Sequence, residues 1–179
     1  HKVLNRAGYQ YIHPEGVEGM CCGVAFDSKG FPSQAGRKTE ELKKALLKAS
    51  NNGEYPILCE TSPCVQRLNQ ELSELPIFDP VSFAGEFLID QLELQQLEET
   101  VVIHPTCSNR KAGHVAKMQV IAEKCAQGVV LPHTVTCCGT AGDRGIFYPE
   151  LPEKALNSLR SQIPKNCSLG ISNSRTCEL

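Results

Sequence analysis

The chain contains Cys-Cys-Gly twice, at residues 21–23 and 137–139, within GMCCGVAFDSKGF and TVTCCGTAGDRGIF. Adjacent cysteines fill a core poorly, but they put two soft sulfur donors at one point of the backbone. Ten cysteines occur in 179 residues: Cys21, Cys22, Cys59, Cys64, Cys107, Cys125, Cys137, Cys138, Cys167 and Cys177. An even number invites a disulfide framework. Two considerations oppose it. A chain of this length can bury a sufficient core without covalent staples. A bridge between neighbouring cysteines closes only through a strained ring. Reduced thiols held for metal ligation are the reading the pattern favours.

Composition narrows the partners. Hydrophobic residues make up 41% and charged residues 21%, as in ordinary globular domains. A formal net charge of −2 supplies no basic field for nucleic acid or an anionic membrane surface. No apolar run reaches the ~18 residues of a membrane span, and the opening HKVLNRAGYQYIHPEG lacks the apolar region of a signal peptide. The chain starts without methionine and stops just after Cys177. Both ends read as cuts, so a fragment of a longer protein is expected.

Short apolar runs alternate with amphipathic stretches. KTEELKKALLKAS, residues 38–50, gathers Leu42, Ala45, Leu46 and Ala49 on one helical face, with Thr39 placed to cap it. Residues 55–59 read as a buried strand, and Ser62-Pro63 opens a helix through Val65, Leu68 and Leu72. Residues 82–94 read as a helix, 100–104 as a strand, and 108–126 as a helix with Val115, Met118, Ile121, Ala122 and Cys125 inside. A strand at 128–132, a helix at 151–163 and a strand at 168–172 complete the pattern. Strand–helix alternation predicts an α/β fold with a largely parallel sheet flanked by helices.

The pattern repeats internally. After residue 23, 35 residues pass before Cys59; after residue 139, 32 pass before Ser172. Cys59 then aligns with Ser172, and Cys64 with Cys177. Each copy runs Cys-Cys-Gly loop, helix, strand, and a cysteine opening the next helix. Two pseudo-two-fold-related repeats are expected, over residues 1–95 and 96–179. The second copy also has Cys107, in HPTC, with 29 residues between it and Cys137. The equivalent cysteine of the first copy would precede His1. One complete and one partial site are expected.

Cys107, Cys137, Cys138 and Cys177 lie on three loops expected at the carboxyl ends of strands, where α/β sheets place ligands. Four thiolates suit zinc or an iron–sulfur cluster. Adjacent cysteines chelate one tetrahedral zinc badly, because zinc ligands are usually separated by two to four residues. They can serve two irons of one cluster, which tilts the choice to iron–sulfur. Gly139 and Gly142 would let the backbone approach inorganic sulfide. Asp143 and Arg144 either tune the site or form an exposed pair. Phe31 and Phe147 shield the site from water or belong to the core.

The motifs CCG-x-AGDRG-x-FYPEL, HPTCS and SNSRTCE, with MCCG-x₃-DSKGF and CETSPC in the first half, resemble a known pattern. It is that of the cysteine-rich CCG domain of FAD-linked, iron–sulfur D-lactate dehydrogenases. Related repeats occur in heterodisulfide reductase and in the iron–sulfur subunit of glycolate oxidase. The resemblance implies an electron-transfer module, with a 4Fe-4S-type cluster relaying electrons from FAD, bound elsewhere in the parent protein, to a respiratory quinone or cytochrome. It implies Cys107, Cys137, Cys138 and Cys177 as one ligand set, and Cys21, Cys22 and Cys64 as a partial set. Gly23, Gly139, Gly142 and His104 fall in the surroundings. FAD-binding and ferredoxin-like parts of the same chain are the implied partners, in the cytoplasm or at the inner membrane face. The sequence departs from the pattern in having Ser174 where CCG repeats often end Cys-x-x-Cys, and in the four residues between Cys59 and Cys64.

Other readings stay open: a structural zinc or partner-docking domain, or a thiol–disulfide reductase using Cys137 and Cys138. Cys59 is either a core residue or a ligand. Cys125 and Cys167 read as structural. His104 is expected to hydrogen-bond the Cys107 loop, and His13, His114 and His133 to lie at the surface or cap helices. No Ser-His-Asp order, Walker loop or dinucleotide fingerprint competes.

Overall fold

The structure is a computed structural model that describes residues 1–174 and Cys177. The chain forms two compact units, His1–Phe83 and Ala84–Leu179. The break falls before the expected boundary at residue 95, and it interrupts a stretch expected to be one helix.

In the first unit, α1 (Lys2–Arg6) and a 3₁₀ turn at Val17–Gly19 precede the first Cys-Cys-Gly. Then follow α2 (Val24–Ser28), α3 (Pro32–Ala49), β1 (Ile57–Leu58), α4 (Ser62–Glu71), β2 (Ile77–Phe78) and α5 (Pro80–Phe83). Pro32 and Pro63 sit in the first turns of α3 and α4, where a missing N–H costs nothing. Thr61, rather than Ser62, occupies the N-cap position of α4. β1 and β2 pair in parallel, Ile57 with Ile77 and Leu58 with Phe78. Leu42, Leu46, Val65, Leu68, Leu72 and Ile77 form one core with Cys22, and Cys59 and Cys64 pack against it. The cysteines of this copy therefore stand at the margin of a hydrophobic cluster.

The expected helix 82–94 is absent as such. Asp79 accepts the N–H groups of Val81 and Ser82 and starts α5. The chain then winds through a π-helical turn, Ala84–Leu88, and leaves helical structure. Gly85 falls inside that turn, and a glycine there weakens regular helix.

The second unit continues with β3 (Leu97–His104), α6 (Cys107–Lys111), α7 (Val115–Cys125), β4 (Ala126–Val130), α8 (Arg144–Phe147), α9 (Glu150–Leu156), α10 (Leu159–Gln162) and β5 (Leu169–Ser172). Its sheet has the order β4-β3-β5, all parallel. Central β3 is buried at Val101, Val102 and Ile103, so its successive side chains are covered on both faces. The expected helix 108–126 is broken: Gly113, at φ +74°, ends α6, and α7 buries Met118 and Ala122. The helix expected at 151–163 is likewise two short pieces. The fold is α/β, with two small parallel sheets flanked by helices. Among the described residues no helix is long and apolar enough to cross a membrane.

Candidate metal-thiolate centres

Both Cys-Cys-Gly turns are built alike. Gly23 and Gly139 have left-handed backbone, φ +88° and +79°. Gly23 N–H points at Cys21 Sγ at 3.4 Å, and Gly139 N–H at Cys137 Sγ at 3.3 Å. The next amide in each copy, Val24 or Thr140, donates to the sulfur of Cys22 or Cys138. Two successive N–H groups thus face two successive sulfurs, an arrangement that favours negative charge. A side chain on either glycine would collide with backbone: its Cβ would lie 2.5 Å from the Ala35 carbonyl oxygen, or 2.6 Å from that of Leu151. In the first copy α3, and in the second α9, packs directly on the turn. Gly142, by contrast, borders open space, and Gly145 makes the tight approach in that loop, against Thr140.

The second cysteine of each turn meets the distal cysteine of its copy. Cys22 and Cys64 have sulfurs 2.9 Å apart, and Cys138 and Cys177 3.2 Å apart. Cys22 and Cys138 are buried and Cys64 and Cys177 half-buried, whereas Cys107 and Cys137 are exposed. A hydrogen bond from Cys64 holds the Cys22 thiol at about 6, against the opposing effect of burial; the Val24 amide and the Arg67 charge add to the lowering. Cys64 moves the other way, because the Cys22 bond, burial and the charges of Cys22, Cys59 and Cys21 all favour its neutral form. In the second copy burial pushes Cys138 up, but the hydroxyl and amide of Thr140 and the Cys177 thiol together outweigh it. Burial, the Cys138 bond and the charges of Cys138 and Cys107 push Cys177 up to about 12. In each copy, therefore, the pKa of the inner sulfur of the turn is lowered and that of the distal sulfur raised. Burial likewise raises the Cys59 thiol, whose charge reaches Cys64.

Residues outside the sequence motifs anchor these turns. The Arg67 side chain donates through Nε to the Cys22 carbonyl at 2.9 Å and pairs through Nη1 with Asp27 at 3.1 Å. Thr39 is not a helix cap. It lies inside α3, its hydroxyl 3.0 Å from the carbonyls of both Cys22 and Ala35. In the second copy the Thr140 hydroxyl stands 3.1 Å from Cys138 Sγ, where the first copy has Val24. The spacing of the cysteines carried no signal for Arg67 or Thr39, which are 45 and 17 residues from Cys22. Thr39→Val keeps the shape and removes the hydroxyl. It should cost about 1 kcal/mol in urea unfolding, and a change too small to measure would show that Arg67 alone holds the Cys22 carbonyl.

Around Cys107 the chain is polar. Thr106 caps α6 by accepting the Asn109 N–H, and Thr106 N–H donates to Asn173 Oδ1. Several buried atoms have no partner among the described residues: both ring nitrogens of His104, the side-chain amide atoms of Asn109, Arg110 Nε and Asn173 Nδ2. His104 thus does not make the loop hydrogen bond expected of it, and burial with the Arg110 charge lowers its pKa. Phe31 and Phe147 are exposed, the latter at 72%, and shield nothing. Cys167 is structural: its thiol donates to the Thr100 carbonyl at 3.1 Å, across to β3. Arg175, Thr176 and Glu178 of the SNSRTCE motif lie outside the described residues.

The donor chemistry fits a thiophilic metal group. Soft sulfurs and amides that face them are what an anionic metal–thiolate group engages. Among the described residues no three of His, Cys, Asp or Glu are grouped to hold one metal ion. Two thiolates on one tetrahedral zinc stand about 3.8 Å apart, given Zn–S bonds of about 2.3 Å, and thiolates on neighbouring irons of a cluster stand farther apart, so either group would spread both pairs. Compared with family models, curated proteins and solved structures, the chain finds no match.

Proposed function

We propose that the two Cys-Cys-Gly units are iron–sulfur electron-relay modules. The observation that carries this is the repeated turn, in which two amides face two adjacent sulfurs and the second sulfur meets a distal cysteine. Cys107, Cys137, Cys138 and Cys177 would hold a cluster in one copy, and Cys21, Cys22 and Cys64, with Cys59 beside them, would contribute to the other. Such a group supplies one-electron storage, its potential set by hydrogen bonds to sulfur and by burial. The chain's own part is to present thiolates, cancel their charge with N–H dipoles and keep the inner sulfurs dry. On the motif resemblance alone, the parent activity would be oxidation of a D-2-hydroxy acid by a flavin elsewhere in a longer chain, with electrons leaving to a quinone or cytochrome on the cytoplasmic side.

The test is anaerobic reconstitution of the chain with iron and sulfide, followed by metal analysis, absorption and EPR spectra. Stoichiometric iron with a broad visible charge-transfer band is expected, reduced in Cys137→Ser. Stoichiometric zinc uptake with no such band would replace the relay by a scaffold.

A further inference from the structure

The closest sulfur contacts among the described residues are also near enough for the sulfurs to react with each other. Cys22 and Cys64 stand 2.9 Å apart and Cys138 and Cys177 3.2 Å apart. Both separations are about 1 Å longer than a disulfide bond, and a bound metal would have to spread each pair. The same pairing occurs in both copies, and in both it joins the second cysteine of the turn to the distal one. The first cysteine is engaged elsewhere, by the glycine amide two residues on. The Cys59 thiol instead lies 3.9 Å from the Thr61 carbonyl.

We propose that the metal-free chain carries two matched thiol–disulfide switches, Cys22–Cys64 and Cys138–Cys177, each closed by a small disulfide oxidant such as oxidised glutathione. One protein thiolate attacks a glutathione sulfur, forming a mixed disulfide and releasing one glutathione thiolate. The second protein thiolate then attacks the protein sulfur of that mixed disulfide and releases the second glutathione. The two protein sulfurs give up two electrons to the glutathione disulfide, and the two thiol protons end on the two glutathiones. The vicinal pairs stay open, because a bridge between neighbours is strained and their sulfurs face separate amides. Each closed bridge removes two proposed ligands, so the oxidised chain takes up metal only after reduction. Bridge formation itself stands on the thiol geometry and needs no iron.

The test treats the metal-free chain with oxidised glutathione under nitrogen, blocks free thiols with N-ethylmaleimide in acid, and maps the tryptic peptides by mass. Two bridges per chain are expected, joining the peptide of residues 21 and 22 to that of residue 64, and the peptide of residues 137 and 138 to that of residue 177. Cys21→Ser and Cys59→Ser should retain the first bridge; Cys22→Ser and Cys64→Ser should lose it while the second persists. Stable mixed glutathione adducts, vicinal bridges, or scrambled pairing would overturn the proposal. Iron uptake by the reduced chain is scored separately. Bridges without iron uptake leave the switch standing and remove the relay, and iron uptake without bridges does the reverse.

Discussion

Gly23→Ala should lose about 2–5 kcal/mol in urea unfolding, whereas Gly30→Ala loses about 1–2 kcal/mol. Both glycines have left-handed backbone, at φ +88° and +84°. The new methyl at residue 30 meets nothing within 4 Å, so only the conformational cost applies. At residue 23 it would press on the Ala35 carbonyl at 2.5 Å, and neither α3 nor the turn can give way without moving the other. The displaced segment carries Cys22, so the thiol pair with Cys64 should open as well. Gly139→Ala is expected to behave the same way in the second copy, against Leu151 and Pro152. Equal losses at residues 23 and 30 would show that strain alone, and not the helix contact, requires glycine there.

Truncating the central strand is the second large effect. Ile103 is fully buried on β3 and pairs in register with Ile171 of β5, which is 40% exposed. Ile103→Ala removes buried methyl groups and leaves a cavity that the sheet closes poorly, a cost of about 2–5 kcal/mol. Ile171→Ala should cost less than about 1 kcal/mol, because its side chain already meets water. Unfolding curves of the two variants check this directly. A loss at Ile103 no larger than at Ile171 would mean the core of this unit lies elsewhere.

The sequence announced its strands and long helices where apolar residues were dense. β3 carries the apolar run Val101-Val102-Ile103, and α3 keeps Leu42 and Leu46 at helical spacing, so both were legible. Two helices were over-extended because periodicity ran through their breaks. Gly113 ends α6 by adopting left-handed backbone, a role a glycine inside an amphipathic stretch does not declare. Short elements escaped notice altogether: β2 is two residues long, and α2 and α8 are five and four residues, too short to show a periodicity. At the candidate centres the repeat of cysteines was legible because its spacing was regular. Their supports were not. Arg67 reaches Cys22 from a distant helix, and Thr39 looks like a cap from its neighbours alone. The exposed phenylalanines erred for a related reason: an aromatic residue after a glycine-rich loop reads as a lid, yet α8 turns Phe147 outward.

The order of strands in the second sheet also constrains biosynthesis. β3 is flanked by β4 and β5, and β5 ends at Ser172, 68 residues after the end of β3 at His104. During translation the sheet stays open on one edge until residue 172 has emerged, and non-local parallel pairing of this kind forms slowly. Cys107, Cys137 and Cys138 are synthesised well before Cys177 exists to meet them. A nascent chain would therefore present three of these thiols for an interval with no fourth. If Cys177 completes the proposed ligand set, a metal group could be held by all four thiols only after the last strand has formed, which would make its assembly a late step of maturation.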